Sequence, residues 1–268
     1  MKVKIAICQV KVLHKKGLNL KKASAMIKES AKNGAEIIIL PEMFNCPYYN
    51  KYFPIFAEYY PGESTQLLSS LARELSVYIV GGSIPEKENG NIYNTSYTFN
   101  RSGNLIGRHR KIHLFDVDIR NSITFKESDT ITAGKNITVF DTEFCKIGLA
   151  ICYDMRFPEL IRKMTLQGAK IIIIPAAFNM TTGPAHWHLT SRSRALDNQI
   201  YFIGASPARN RKAEYIAYGH SLVVDPWGTI TAEAGSGEQI LYGNIDLDSI
   251  DKVRNQLPLL KHRREDIY

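Results

Sequence analysis

The chain has 268 residues, of which 44% are hydrophobic and 22% are charged, and its 34 Lys and Arg against 26 Asp and Glu give a formal net charge of +8. This composition is that of an ordinary globular protein and excludes a disordered, collagen-like or coiled-coil chain. The basic residues are spread in short groups without a nucleic-acid-binding motif, which indicates a solvated surface or attraction for anionic small molecules and no nucleic acid partner.

Hydrophobic periodicity predicts alternating strands and helices along the chain. In the first half we predict a strand at 3–9, a helix at 20–33, a strand at 36–41, a helix at 65–75 and strands at 77–81, 93–99 and 105–108. Asn19 is the predicted N-cap of the first helix and Gly34 its stop. In the second half we predict a strand at 146–151, a helix at 157–167, a strand at 170–175, a helix at 186–197, a strand at 200–206, a hairpin of 220–224 with 229–234 and a further segment at 238–245. No linker divides these elements, which predicts a single α/β domain over residues 1–268 with its sheets covered by helices.

The cysteines and the N-terminal segment indicate in which cellular compartment the protein is found. The four cysteines form neither a CxxC pair nor a zinc-ligand pattern, which predicts reduced thiols without a disulfide framework. The apolar start of the chain ends after about seven residues, which is too short for a signal peptide, and no run of 18 apolar residues occurs. We therefore expect a soluble cytoplasmic protein with no membrane partner.

Two predicted buried strands lead directly into an ionisable residue, Glu42 after 36–41 and Cys152 after 146–151. Because ligands meet α/β folds at the carboxyl ends of strands, these two side chains could form a nucleophile and its base. A thiolate is the attacking species, and a nearby carboxylate can accept its proton. The pattern alone favours the alternative, in which Cys152 is a small buried hydrophobic residue and Glu42 a solvated strand end.

A basic run, Arg108-His109-Arg110-Lys111, lies between these two candidates. Such a run is typical of a solvated strand edge. If one cation points inward, it can stabilise the oxyanion that amide hydrolysis generates where water is excluded. The run itself does not distinguish among its four basic side chains.

Three segments in chain order resemble the nitrilase superfamily of carbon–nitrogen hydrolases, whose pattern is a Glu, a Lys and a Cys. They are LPEMF at 40–44, RKIHLF at 110–115 and ICYDMRFPEL at 151–160. The resemblance runs essentially from end to end. The segment FNMTTGPAHW at 178–187, together with SPAR at 206–209, looks most like the Nit2-type ω-amidase branch of that superfamily.

The resemblance implies an α-β-β-α four-layer sandwich, with two sheets between layers of helices. It assigns Cys152 as the nucleophile, Glu42 as the general base and Lys111 as the oxyanion partner. Glu127 falls where the family has a further acid that orients the site, and the N–H of Tyr153 is expected to help hold the oxyanion. The implied chemistry needs no metal or organic cofactor.

The branch implies hydrolysis of the terminal amide of small dicarboxylate monoamides, of the 2-oxoglutaramate or 2-oxosuccinamate type, with the small-molecule amide and water as partners. Arg156 is the candidate for a substrate carboxylate, because a guanidinium binds a carboxylate through two parallel hydrogen bonds. The equal alternative for Arg156 is a salt bridge with Glu159 or a neighbour at the helix start. His109 and His113 flank Lys111 and receive no role.

Alternatives remain open at the level of function. They are a nitrilase, an N-carbamoyl amidase, a deaminated-glutathione amidase and, in a different class, a non-catalytic binding protein. The family also implies a homodimer or larger homo-oligomer. We expect its contacts on the predicted helix at 157–167 and on the C-terminal tail up to Tyr268.

Overall fold

The computed structural model describes residues 1–120 and 123–267. The helices in this part of the chain are α1 (Lys16–Lys32), α2 (Phe53–Phe56), α3 (Glu63–Leu75), α4 (Pro158–Leu166), α5 (Thr182–Asn198) and α6 (Leu247–Gln256). The strands are β1 (Lys2–Gln9), β2 (Ile37–Ile39), β3 (Tyr78–Val80), β4 (Ile84–Glu88), β5 (Asn91–Phe99), β6 (Leu105–Arg110), β7 (Asp116–Ile119), β8 (Ile123–Lys126), β9 (Thr138–Asp141), β10 (Lys146–Leu149), β11 (Ala169–Pro175), β12 (Tyr201–Ala205), β13 (Leu222–Val224), β14 (Ile230–Glu233) and β15 (Gln239–Asp246). Short 3₁₀ helices span Glu127–Asp129 and Cys152–Arg156.

The strands form two large sheets with the same central arrangement. The first sheet has the order β15-β1-β2-β3-β5-β4, with β6 paired to β5, and the second has the order β14-β13-β12-β11-β10-β9. Three neighbouring strands are parallel in each sheet, β1-β2-β3 in the first and β10-β11-β12 in the second. A helix connects each successive pair of these parallel strands, as parallel pairing requires. Strands β7 and β8 form a separate hairpin.

In the described part of the chain, alternation along the strands of the two large sheets places apolar side chains in three cores, and a fourth cluster lies around Tyr48, Phe115 and Phe125. Ile37 and Ile39 of β2 pack with Ile171 and Ile173 of β11 in a core between the two sheets. Ile38 points the other way, against α1 and α3, and the second sheet packs its outer face against α4 and α5. The order of layers is therefore helix, sheet, sheet, helix, which confirms the predicted α-β-β-α sandwich.

Helix α1 begins four residues before its predicted start, and the prediction that Asn19 is its N-cap is wrong. Asn19 lies inside the first turn, where its amide accepts a hydrogen bond from the Leu13 N–H and donates to the carbonyls of Leu13 and Asn45. The side chain holds the preceding loop against the helix instead of capping it. Gly34, in the left-handed region at φ 79°, follows the helix as predicted.

Helix α5 also begins four residues early, at Thr182. The Asn179 carboxamide oxygen accepts hydrogen bonds from the backbone N–H groups of Thr181 and Thr182, which satisfies donors at the helix start. None of the helices in the described part of the chain is long and apolar enough to span a bilayer.

Candidate active site

Four of the side chains singled out in the sequence meet at one end of the sandwich. Glu42 follows β2 and Lys111 follows β6 of the first sheet, whereas Cys152 follows β10 of the second sheet. Glu127 opens the 3₁₀ helix after β8. All four are almost completely buried, so the sandwich places an acid, a thiol and a cation together out of contact with bulk water.

The Lys111 ammonium lies between two carboxylates. Its Nζ is 2.9 Å from Oε1 of Glu42 and 2.8 Å from Oε2 of Glu127, and it donates a third hydrogen bond of 3.2 Å to the Tyr48 hydroxyl. The Asn94 amide donates to both carboxylates, at 2.8 Å to Glu42 and 3.2 Å to Glu127. Every donor of the ammonium therefore has an acceptor, and both acids are fixed relative to one cation.

Cys152 stands at a strained point of the backbone. It is the first residue of its 3₁₀ helix and has a φ of 46°, in the left-handed region that costs a non-glycine residue about 1–2 kcal/mol. The thiol lies beside the Glu42 carboxyl, and the two groups shift each other's pKa. In the described part of the chain, Oε2 of Glu42 has no hydrogen-bond partner, so this oxygen is available to accept a proton.

Burial dominates the electrostatics of the site. It raises the pKa of the Glu42 carboxyl, against the opposing effect of Lys111. Burial and the charge of Glu42 raise the pKa of the Cys152 thiol well above its usual range. For Lys111, burial alone would lower the pKa, but the Glu127 and Glu42 charges outweigh it and raise the pKa well above its usual range. The resting site thus pairs a neutral thiol with a permanently charged ammonium.

Two adjoining pockets open onto these groups. The larger, of about 550 Å³, contains Glu42 in a wall that also includes Tyr48, and the smaller, of about 200 Å³, contains Cys152 and Arg156. Ala177 and Tyr215 line both pockets. The Tyr215 hydroxyl donates a 2.6 Å hydrogen bond to the Ala177 carbonyl, which fixes the boundary between them. Glu42 and Cys152 therefore line neighbouring pockets that share Ala177 and Tyr215.

Arg156 lies in the smaller pocket and is half-buried. Its guanidinium lies 4.8 Å from the centre of the Phe178 ring and 3.1 Å from Nδ1 of His186. Among residues 1–120 and 123–267, no carboxylate pairs with it, so the alternative of a salt bridge with Glu159 is absent there. The cation faces the nucleophile's pocket without a counter-ion from the described chain.

Tyr153 follows the nucleophile directly. Its ring packs edge-on against Phe115 and Phe157, with ring centres 5.3 Å and 5.6 Å apart. Its backbone N–H belongs to the first turn of the 3₁₀ helix, where such groups have no acceptor within the helix.

The sequence patterns assign neither Asn94 nor Tyr48 to the site around Lys111. Asn94 lies in β5 and Tyr48 in the loop after β2, far from Lys111 along the chain. No local pattern signals either contact, because the sheet topology brings them to the ammonium. Strand β5 also buries Thr95, Ser96 and Thr98, so its composition does not single out Asn94.

One cluster in the described residues has the side chains of a metal site. His188, His220 and Glu233 place their ligand atoms within 4.8 Å of one another. Oε1 of Glu233 lies 2.8 Å from Nε2 of His188 and 3.0 Å from Nδ1 of His220, so hydrogen bonds account for the arrangement. None of the three lines the pockets that contain Glu42 and Cys152.

Comparison with known proteins identifies the family of the chain. A sequence model of the Carbon-nitrogen hydrolase family matches residues 4–255. The chain is 52% identical to the omega-amidase NIT2 of Mus musculus and 50% identical to that of Homo sapiens, over 265 residues that cover 99% of this chain and 96% of each relative. A solved structure of Saccharomyces cerevisiae Nit3, a member of branch 10 of the nitrilase superfamily, superposes with a TM-score of 0.91 at 45% identity, covering 98% of this chain and 97% of that one. The chain therefore belongs to the carbon–nitrogen hydrolase family of the nitrilase superfamily, and it is a hydrolase that acts on amide carbon–nitrogen bonds.

Proposed function

We propose that this chain is a cysteine-dependent amidase that hydrolyses the terminal amide of small dicarboxylate monoamides, of the 2-oxoglutaramate or 2-oxosuccinamate type, to the dicarboxylate and ammonia. The observation that carries the proposal is the buried set of Glu42, Lys111 and Glu127 beside the Cys152 thiol. It places a base, a fixed cation and a nucleophile next to one another, which is the set that acyl transfer from an amide requires.

In the first half of the reaction, Glu42 accepts the thiol proton as the Cys152 sulfur attacks the amide carbon. The carbonyl oxygen becomes an oxyanion, which the Lys111 ammonium and the Tyr153 N–H stabilise. All three N–H donors of Lys111 are engaged at rest, so the oxyanion takes the donor now aimed at Tyr48, the longest of the three contacts at 3.2 Å. Glu42 then protonates the leaving nitrogen, the carbon–nitrogen bond breaks, and ammonia and a thioester on Cys152 result.

In the second half, water enters and Glu42 removes one of its protons as the oxygen attacks the thioester carbon. The carbon–sulfur bond breaks, the acid product leaves, and Glu42 returns a proton to the Cys152 sulfur. Glu127 keeps its contact with Lys111 throughout, which favours the charged form of the ammonium and orients it. These steps use only side chains of this chain, one backbone N–H and water.

The substrate class is supported by two independent features. The relatives at 52% and 50% identity are named omega-amidases. In addition, Arg156 presents a guanidinium to the pocket of Cys152, where the second carboxylate of a monoamide would need a cationic partner, because a desolvated carboxylate without one is strongly unfavourable.

We also propose that the chain forms a homodimer or a larger homo-oligomer through the outer helices. Exposed apolar side chains on α4 and α5 support this assignment, Leu166 on the first and Leu189 and Leu196 on the second. The expected contribution of the C-terminal tail extends to Tyr268, which lies outside the described residues.

Ammonia release from a panel of substrates tests the proposed activity. The panel contains 2-oxoglutaramate, 2-oxosuccinamate, deaminated glutathione, an N-carbamoyl amino acid and an aliphatic nitrile. We expect the two oxo-acid monoamides to give the highest kcat/KM, and Cys152→Ala to abolish turnover with little change in Tm. An intact-mass measurement should find an acyl adduct on the wild-type chain only. Turnover by Cys152→Ala would rule out the thioester, and preference for another substrate of the panel would rule out the substrate class.

A further inference from the structure

The fold contains a buried carboxylate that the chemistry above does not use. Asp154 lies two residues after Cys152 and has no exposed surface. Its Oδ2 accepts hydrogen bonds of 3.0 Å from the Ile151 N–H and from Nε2 of His109, and its Oδ1 accepts bonds of 2.8 Å from the N–H and from Nδ1 of His113. A fully buried aspartate with four hydrogen bonds, three to the segment 109–113 and one within its own turn, is held in one position.

The two histidines flank the catalytic lysine symmetrically. His109 is two residues before Lys111 and His113 is two residues after it, and they contact different oxygens of the same carboxylate. Between them, the Lys111 backbone is fixed by a hydrogen bond to the Asn94 carbonyl. The segment that carries the ammonium is thus attached on both sides to the turn that carries the thiol, although the two segments belong to different sheets.

The same carboxylate also closes the turn at the nucleophile. The Asp154 carboxylate accepts the Ile151 N–H, and this hydrogen bond links the two sides of the strained residue Cys152. A non-glycine residue keeps a left-handed backbone only where its surroundings fix it. Hydrogen bonds from both histidines outweigh the effect of burial and hold the pKa of Asp154 well below its usual range, so the bridging group is a carboxylate at working pH.

We propose that Asp154 is a positioning residue that, through His109 and His113, sets the location of the Lys111 ammonium relative to the Cys152 thiol. The inference rests on the proposed function, in which Lys111 stabilises the oxyanion formed by attack of Cys152. In Asp154→Asn the amide oxygen can still accept the Ile151 N–H at the position of Oδ2, whereas the amide nitrogen replaces Oδ1, the acceptor for His113. The Lys111 segment then shifts relative to the oxyanion while the turn that holds the Cys152 thiol stays closed. A displacement of about 1 Å at such a site can cost up to about 100-fold in rate.

The first test compares Asp154→Asn with Asp225→Asn. Asp225 is a matched control because its carboxylate also accepts two backbone N–H bonds in a turn, from Trp227 and Thr229 in the connection from β13 to β14. We expect Asp154→Asn to lower kcat for an oxo-acid monoamide at least about tenfold with KM within about threefold of wild type, and Asp225→Asn to leave both constants unchanged. Equal effects on kcat in the two variants would overturn the inference.

Alkylation of Cys152 by iodoacetamide, followed by peptide mass spectrometry, separates this role from damage to the nucleophile. Displacement at the carbon of iodoacetamide needs the thiol and its base but no oxyanion donor, so Asp154→Asn should keep an alkylation rate within about threefold of wild type. A parallel fall of alkylation and kcat would place the effect on the thiol and contradict the proposed role.

A second pair of variants keeps the inference testable if Asp154→Asn does not fold. His113→Ala and His113→Asn both lose the stacking of the imidazole on Phe157, but only asparagine restores an N–H donor near the position of Nδ1. We expect His113→Asn to recover most of the kcat that His113→Ala loses. Equal kcat in the two variants would refute the clamp. An inactive wild-type chain would overturn the proposed function and the clamp with it, whereas an active wild type with either contrary result overturns the clamp alone.

Discussion

Replacement of Glu127 by Gln removes one charge from the centre of the site while it nearly preserves shape. The Glu127 carboxylate lies 2.8 Å from the Lys111 ammonium, and at an effective dielectric constant of about 20 their attraction is about 6 kcal/mol. The variant loses this attraction but no longer has to desolvate a charged carboxylate, which offsets part of the loss. Lys111 still has Glu42 at 2.9 Å, so the remaining pair is neutral overall and the ammonium stays charged. The variant should fold.

The hydrogen bonds of Glu127 cannot all survive the change. Its Oε2 accepts from Lys111 and from the Phe115 N–H at 2.8 Å, and its Oε1 accepts from the Asn94 amide at 3.2 Å. If the glutamine oxygen takes the place of Oε2, its amide nitrogen confronts the Asn94 amide, a donor facing a donor. Loss of one such bond to a charged group costs about 1.5–3 kcal/mol. We expect unfolding free energy to fall by that amount, and kcat to fall about 100-fold, as for loss of an oxyanion donor.

The assay is steady-state ammonia release, with urea unfolding of the same preparations. Glu58→Gln is the matched control, because Glu58 is a nearly buried carboxylate that pairs with Lys16 at 3.1 Å and accepts the Ser64 N–H at 2.8 Å, away from Cys152. It should lose comparable stability with unchanged kcat. If Glu127→Gln keeps kcat within threefold of wild type, or if Glu58→Gln lowers kcat as much, the assigned role of Glu127 is wrong.

Three further predictions concern substrate, pH and assembly. Arg156→Lys should raise KM for anionic monoamides about tenfold, since it keeps the charge but loses the two-pronged geometry; equal losses on a neutral short-chain amide would instead assign Arg156 to support of the Cys152 turn. Burial raises the pKa of Glu86, but hydrogen bonds from Arg110 and Thr95 outweigh this effect and hold the pKa below its usual 4.5. The ionised carboxylate therefore stabilises the folded chain above pH 4.5, and this contribution is lost as the pH falls through the lowered pKa. Glu86→Gln should therefore be less stable than wild type at pH 7 and approach it in urea midpoint as the pH falls below about 4.5; a difference independent of pH would contradict this linkage. Light scattering at micromolar concentration should give a mass at least twice the 30.3 kDa of one chain, and a monomeric mass would exclude the proposed oligomer.

The parallel strands and their crossover helices could be predicted because they carry strong apolar patterns. The runs at 36–41 and 170–175 become β2 and β11, which are buried on both faces. Strands β4, β7, β8 and β9 are absent from the prediction. Each is short and carries polar residues, so none shows enough alternation of apolar and polar residues to be detected. Helix α6 was also missed, although its N-cap Asp246 is a recognisable start signal whose side chain accepts the Asp248 N–H.

Strand alternation reduces the candidates for the inward-pointing cation in the run 108–111 from four basic residues to two. Strand β6 continues to Arg110, two residues beyond its prediction, and period two then separates Arg108 and Arg110 from His109 and Lys111. The first pair faces Glu86 and Glu88, whereas the second pair is fully buried. The choice of Lys111 over His109 depends on contacts with Glu42 and Glu127, which only the tertiary structure supplies.

The base and the nucleophile come from opposite sheets of the sandwich, Glu42 from the end of β2 and Cys152 from the end of β10. Their separation is therefore set by the thickness of the apolar layer between the sheets, where Ile39 and Leu149 are completely buried. We expect that removal of a methyl group in that layer, followed by partial relaxation of the sheets, alters the distance across which the proton moves. The turnover rate therefore depends on how the layer between the sheets is packed. Substitutions in this layer are limited by their effect on the reaction as well as by their effect on stability.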